Sequence, residues 1–230
     1  MLKSVLQIAG KVWFLFRLWS LDVVAGSMAV GAFFCKILDV RMPLWWWFVL
    51  ASSVWIMYTV DHLFDGYRIK DTASTAIFRH YYHATRKTPL LLLVLITSVL
   101  TLFLVIRYAP PVLLKRGLAL LAIIGLYFLL VNFVRHSKFF LFQKELAIAV
   151  IYAAGIAIGP LTFSAGKPET WQVILIVGMI LMAWAEGIMA SWFDHDNDLH
   201  DGHTSFATVF GLQNTKYFLI ALQHYKPYEH

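Results

Sequence analysis

Residues 171–193 read WQVILIVGMILMAWAEGIMASWF, and residues 194–203 follow directly as DHDNDLHDGH. The first stretch carries one ionisable residue, Glu186, in a run of more than twenty. That is the length an α-helix needs to cross a hydrocarbon core of about 30 Å at roughly 1.5 Å per residue. In hydrocarbon a segment must also close its own backbone hydrogen bonds, which a helix does. The second stretch is the opposite, with Asp194, Asp196, Asp198 and Asp201 close together. A spanning helix that empties into an acidic loop is the reading from which the rest of the chain follows.

Working outward, five more apolar stretches have this character: 17–38, 43–63, 89–107, 112–134 and 144–165. With 171–193 they make about six complete spans. A partial seventh begins near Gln213, but its apolar core, Tyr217 to Leu222, is too short to cross before the polar tail Gln223 to His230. The 230 residues are 60% hydrophobic and 14% charged, and the mean hydropathy is +0.70. Soluble domains carry about a quarter charged residues. The expected fold class is therefore all-α, a polytopic transmembrane helix bundle, with residues 1–230 forming one transmembrane domain. Arg17 and Asp22 within the first stretch, and the lack of a small-residue cleavage site after it, argue against a removable signal peptide. Cys35, the single cysteine, cannot form an internal disulfide and reads as a small buried hydrophobe.

A net charge of +6 would suggest nucleic acid in a soluble protein. Here lipid explains it, and no nucleic-acid partner is expected. The side holding the amino terminus and the loops after the second, fourth and sixth spans has twelve Lys and Arg, and the opposite side has six. Basic residues collect in cytoplasmic loops. The expectation is a multi-pass protein of the cell (inner) membrane with a cytoplasmic amino terminus. Trp45, Trp46 and Trp47 read as an interfacial anchor on the opposite face.

The loops after the second and sixth spans hold Asp61, Asp65, Asp71, Asp194, Asp196, Asp198 and Asp201, seven of the 13 acidic residues. Four spans separate the two clusters, so both fall on the same, cytoplasmic side. Asp61 and Asp65 are four apart, as are Asp194 and Asp198, and on a helix that spacing stacks two carboxylates about 6 Å apart. Such carboxylates repel unless a cation lies between them. Four of them form a hard-oxygen set that suits Mg²⁺, an ion that commonly binds a few carboxylates plus substrate phosphates. Asp61, Asp65, Asp194 and Asp198 are the candidate metal ligands and catalytic residues. Asp71, Asp196 and Asp201 read as solvated loop residues.

A phosphate-bearing substrate asks for cations nearby. Arg68, Lys70, Arg79 and Lys144 are the diphosphate-binding candidates, although each is also an ordinary residue of a positive loop. Glu186 lies eight residues before Asp194, about 12 Å deeper along the helix axis. It is expected to face the bundle interior. Glu186 and Asp22 are candidate acceptor-binding residues, with an interhelical hydrogen bond as the plainer role. His62, His80, His83, His195, His200 and His203 fall on the same side. They include no adjacent pair of the kind found in di-iron membrane enzymes, and read as interfacial loop residues.

The run Asp194-His-Asp196-Asn-Asp198-Leu-His-Asp-Gly202-His-Thr204-Ser-Phe-Ala207-Thr-Val-Phe-Gly211 resembles the second aspartate motif of the UbiA-type intramembrane prenyltransferases, most of all that of the 4-hydroxybenzoate polyprenyltransferases. Asp61-x-x-x-Asp65-Gly66 is similar to the later half of the first motif, and Lys144 matches the lysine of a Lys-Arg element. Met57 and Tyr58 stand where that first motif begins Asn-Asp, and Glu145 stands where the element has its arginine. The resemblance implies about nine transmembrane helices, relative to which this chain is truncated at its carboxyl end. It also implies two Mg²⁺ ions bridging an isoprenyl diphosphate, whose prenyl group is transferred to an aromatic or other lipophilic acceptor in the membrane. Two alternatives stand beside it. One is a CDP-alcohol phosphotransferase, whose aspartates form one continuous signature. The other is a non-catalytic UbiA-fold protein that binds isoprenoid or quinone.

Overall fold

The computed structural model describes residues 2–68, 82, 85–133, 144–201 and 204–224, and these form helices and connections with no β-strand among them. The all-α class read from composition is therefore observed. The helices are α1 (Leu2–Leu18), α2 (Leu21–Ile37), α3 (Leu44–Arg68), α4 (Lys87–Tyr108), α5 (Pro111–Phe133), α6 (Lys144–Phe163), α7 (Thr170–Phe193), α8 (His195–Asp201), α9 (Phe206–Phe210) and α10 (Leu212–His224). Among the described residues, four are long and apolar enough to cross a membrane: Leu44–Phe64 within α3, and α4, α6 and α7. The chain is thus consistent with a multi-pass membrane protein.

The first expected span, 17–38, is not one helix. Gly10–Leu18 and Leu21–Ile37 meet at a bend of 78°. The corner is Ser20, at φ 54° and ψ 26°. A left-handed residue other than glycine costs roughly 1–2 kcal/mol and persists where its surroundings hold it. Here the Ser20 hydroxyl is buried 3.2 Å from Nε2 of the buried His62, on α3. Arg17 and Asp22 face each other across the bend at 3.8 Å.

The helices fall into two compact units, Met1–Leu114 and Lys115–His230. In the first, α2 packs on α3 along the buried stripe Ser27, Gly31 and Phe34. Small residues let membrane helices approach closely, which matters where lipid removes the usual hydrophobic drive. A Cβ at Gly31 would stand 3.0 Å from the Leu50 side chain and 3.3 Å from both Trp46 and Trp47. Trp46 is buried in this contact, which corrects its reading as an interfacial anchor. Trp45 instead stacks on Tyr108 of α4. Farther along α3, Ser52 Oγ lies 2.8 Å from Thr101 Oγ1 of α4, both buried.

In the second unit α6 packs on α7 through Ala149, Ala153, Ile156, Ala157, Gly159 and Pro160. α10 returns against α7: Trp184 meets Phe218 edge to face, Phe206 and Phe218 lie 5.2 Å apart, and Trp192 Nε1 donates to the Leu212 carbonyl at 3.2 Å. The partial seventh helix expected from Gln213 is α10.

Because α2 and α3 touch at Gly31, Gly31→Val should overpack the contact and destabilise the protein by about 1–3 kcal/mol. Thermal unfolding in detergent checks this, and Gly10→Ala, where a Cβ meets nothing within 4 Å, is the control that should leave the midpoint unchanged.

Candidate functional site

α7 stops where the aspartates begin. Carboxylates are unfavourable at a helix C-terminus, where the carbonyl ends are already negative, and favourable in a first turn. The chain follows the second preference, although Asp194 itself stands at the carbonyl end of α7. Asp194 caps α7, its N–H donating to the Ala190 carbonyl at 2.9 Å, and α8 then starts with Asp196 and Asp198 in its first turn. The expected pair at the end of a single helix is thereby split by a helix break. The spacing survives, because the Asp198 N–H donates to the Asp194 carbonyl at 2.8 Å, keeping the two residues one turn apart. Asp194 is exposed and Asp198 half-buried. Asp196 is exposed and takes the His195 ring at 3.0 Å, in keeping with a solvated role.

After α8 the chain reaches Ser205, whose N–H donates to Thr208 Oγ1 at 2.8 Å, and α9 begins at Phe206. The Phe206 N–H is buried and needs an acceptor. Glu145, the second residue of α6, supplies it: Oε1 accepts the bond at 2.8 Å. The Glu145 side chain is buried, with its Cβ and Cγ against Gly187 of α7. A Cβ at Gly187 would stand 3.5 Å from the Glu145 Cβ, an ordinary van der Waals contact. Lys144 and Asp198 both act on Glu145 through space. Oε2 is buried and has no hydrogen-bond partner among the described residues.

The second unit therefore gathers Lys144, Glu145, Asp198 and the start of α9 at one corner, with Asp194 one turn from Asp198. The sequence marks Glu145 only as a departure from the Lys-Arg element and gives it no role of its own. Glu186, expected to face inward, is exposed on α7, and its neighbour Gly187 faces the buried acid instead.

The first pair lies in the other unit. α3 runs unbroken to Arg68, so Asp61 and Asp65 share one helix as expected, and Arg68, expected in the loop, is its last residue. Asp61 is exposed and His62 is turned into the packing against Ser20. The side chains of Asp65 and Arg68, and the whole of Lys70, Arg79, Asp71, His80, His83, Gly202 and His203, lie outside the described residues. Asp22 sits at the α1–α2 corner beside Arg17. Among the described residues no three His, Cys, Asp or Glu side chains gather as a metal site. The carboxylates of Asp194, Asp198 and Glu145 are hard-oxygen donors, and Glu145 Oε2 is buried and unpartnered among the described residues. That chemistry fits Mg²⁺.

Glu145→Ala takes away the acceptor that Oε1 gives the buried Phe206 N–H. Glu145→Ala should cost about 1–3 kcal/mol, whereas Glu145→Gln, which keeps an acceptor oxygen, should retain most of the stability. Chemical denaturation in detergent micelles compares the two, and equal losses would show that the hydrogen bond to Phe206 is not what matters. Comparison of the chain with models of known families, with curated proteins and with solved structures finds no match.

Proposed function

We propose that this protein is a Mg²⁺-dependent intramembrane prenyltransferase of the UbiA kind, transferring an isoprenyl group from its diphosphate to an aromatic or other lipophilic acceptor. The observation that carries this reading is Asp194 and Asp198 held one helical turn apart at the mouth of an apolar helix, with Lys144 and the unpartnered carboxylate oxygen of Glu145 beside Asp198. The proposed site lies in the cell (inner) membrane with the amino terminus and both acidic loops cytoplasmic.

In this reading each acidic pair, Asp61 with Asp65 and Asp194 with Asp198, would offer carboxylate oxygens to Mg²⁺, which when bound would supply positive charge to the diphosphate. The basic residues of each unit, Lys144 in one and Arg68, Lys70 and Arg79 in the other, would bind phosphate oxygens. The C–O bond of the isoprenyl diphosphate cleaves heterolytically, the electron pair leaving with diphosphate. The acceptor then forms the new bond to the allylic carbon and loses a proton. Apolar helix faces such as those of α4 and α7, with Leu95, Val99, Ile174 and Met182 exposed, accommodate the isoprenoid tail.

Glu145 favours a second reading. An acid in place of the arginine next to Lys144 lowers the positive potential available to a leaving diphosphate, which suits binding without turnover. One experiment separates the readings. The full chain in lipid nanodiscs is titrated with farnesyl diphosphate with and without Mg²⁺, and diphosphate release is followed with lipid-extracted acceptors present. Mutually dependent binding of Mg²⁺ and diphosphate, with release, is expected, and Asp194→Ala should weaken the joint binding at least tenfold. Binding without release supports the non-catalytic relative. Stabilisation by a CDP-linked alcohol but not by farnesyl diphosphate supports phosphotransfer. Unchanged binding in Asp194→Ala overturns the site.

A further inference from the structure

α1 differs in build from α4, α6 and α7. It carries Lys3, Lys11 and Arg17 and no acidic residue. At 100° per residue, Leu2, Val5, Leu6, Ile8, Ala9, Val12, Trp13, Leu15 and Phe16 fall by register in one half of the helix circumference, and the three basic residues fall in the other. Phe14 and Leu18 share the basic half, and Leu18 is buried at the corner with α2. On the apolar half, Val12 is 60%, Trp13 58% and Leu15 54% exposed, so the protein leaves this face uncovered.

The bend decides how much depth α1 can cross. α2 has 17 residues, about 25 Å of helix, and nearly fills a hydrocarbon core by itself. Gly10–Leu18, about 13 Å long, is bent 78° from it and so advances only about 3 Å along the α2 axis. It runs sideways. The direction is held rather than hinged, because Ser20 is buried in a left-handed conformation against His62, and Arg17 meets Asp22 across the corner.

We infer that α1 is an interfacial helix, lying in the plane of an anionic leaflet with its apolar half at the acyl boundary and its basic half toward phospholipid phosphates. Three bases without an acid complement a negative surface, and a tryptophan on the apolar half suits the headgroup level. The inference rests on the membrane reading of the chain and not on its proposed chemistry.

The test uses the full chain with Cys35→Ser and single cysteines at Gly10, Val12 or Leu15, each labelled with an environment-sensitive fluorophore, in nanodiscs of phosphatidylcholine with or without phosphatidylglycerol. With phosphatidylglycerol, labels at 12 and 15 should be quenched at least twofold more by lipid spin-labelled near the carbonyls than by lipid labelled near the chain end. The label at 10 should be quenched by aqueous iodide. In phosphatidylcholine alone the shallow quenching should fall at least twofold, and Lys3→Gln with Lys11→Gln should remove that lipid dependence. Deep quenching at 12 and 15 would make α1 part of a span, and iodide quenching at all three positions would place it in water. Protection of 12 and 15 from both quenchers would mean that protein covers the face, a second copy included. Equal shallow quenching in both lipid mixtures would remove the anionic headgroups from the assignment. Any of these four overturns the proposal.

Discussion

Hydrocarbon offers no hydrogen-bond partner to a backbone N–H or carbonyl, and each irregularity in this chain is arranged around that constraint. At Ser20 the backbone turns, yet the Ser20 N–H still reaches the Arg17 carbonyl at 3.1 Å, and the Val24 N–H reaches the Ser20 carbonyl at 3.2 Å. At Asp194 the helix ends with the cap N–H still bonded to Ala190. Pro160 removes a donor inside α6, and just past the helix end the Ser164 N–H donates to the Pro160 carbonyl at 2.9 Å. The far end of α6 is closed from outside the helix: Arg116 Nη1 reaches the Leu161 carbonyl at 3.2 Å and Thr162 Oγ1 at 3.0 Å. A cation suits that end, where the helix dipole is negative.

The same solvent changes what packing means. Burying a leucine against another helix gains little when lipid is as apolar as the protein, so contacts rely on close fit and buried polar pairs. Gly31 between Leu50 and two tryptophans is a fit of this kind, and Ser52 with Thr101 is such a pair. Hydroxyls that enter the helices mostly bond back to their own backbone, as Ser27 does to Val23 at 2.8 Å and Thr215 to Gly211 at 2.8 Å. Their polarity is spent locally, leaving the lipid-facing surface apolar.

This explains what could and could not be read from the sequence. Apolar length is a local property, so the expected stretches 43–63, 89–107, 112–134, 144–165 and 171–193 each lie within a few residues of a helix. The corner at Ser20 was hidden, because a serine between apolar runs has no turn signal of its own. The residue that holds it, His62, is distant in sequence. Trp46 was misplaced for a related reason: three tryptophans at a span end look like a membrane anchor until Gly31 is seen to make a slot for one. The aspartate spacing was legible, while the helix break inside Asp194–Asp198 was not. Composition sees four acids and cannot tell the tail of one helix from the head of the next.

Glu145 and Glu186 show where such reading stops. Both are acids within apolar runs, and depth along the helix favoured Glu186 as the inward one. What decides is the neighbour across the helix pair, since the Glu145 side chain packs against Gly187 while Glu186, one position earlier, is exposed. A buried carboxylate is retained when hydrogen bonds and a nearby cation offset its desolvation. Glu145 has the Phe206 N–H on one oxygen and Lys144 next in sequence. Yet Glu145 and Asp198, with Asp194 a turn away, bring more negative charge to this corner than Lys144 balances, and Oε2 remains without a donor. A buried oxygen left over beside other carboxylates is satisfied by a proton, a water or a cation alike. The need for such a partner comes from the packing of α6, α7 and α9 itself, independently of the motif that first drew attention to the aspartates.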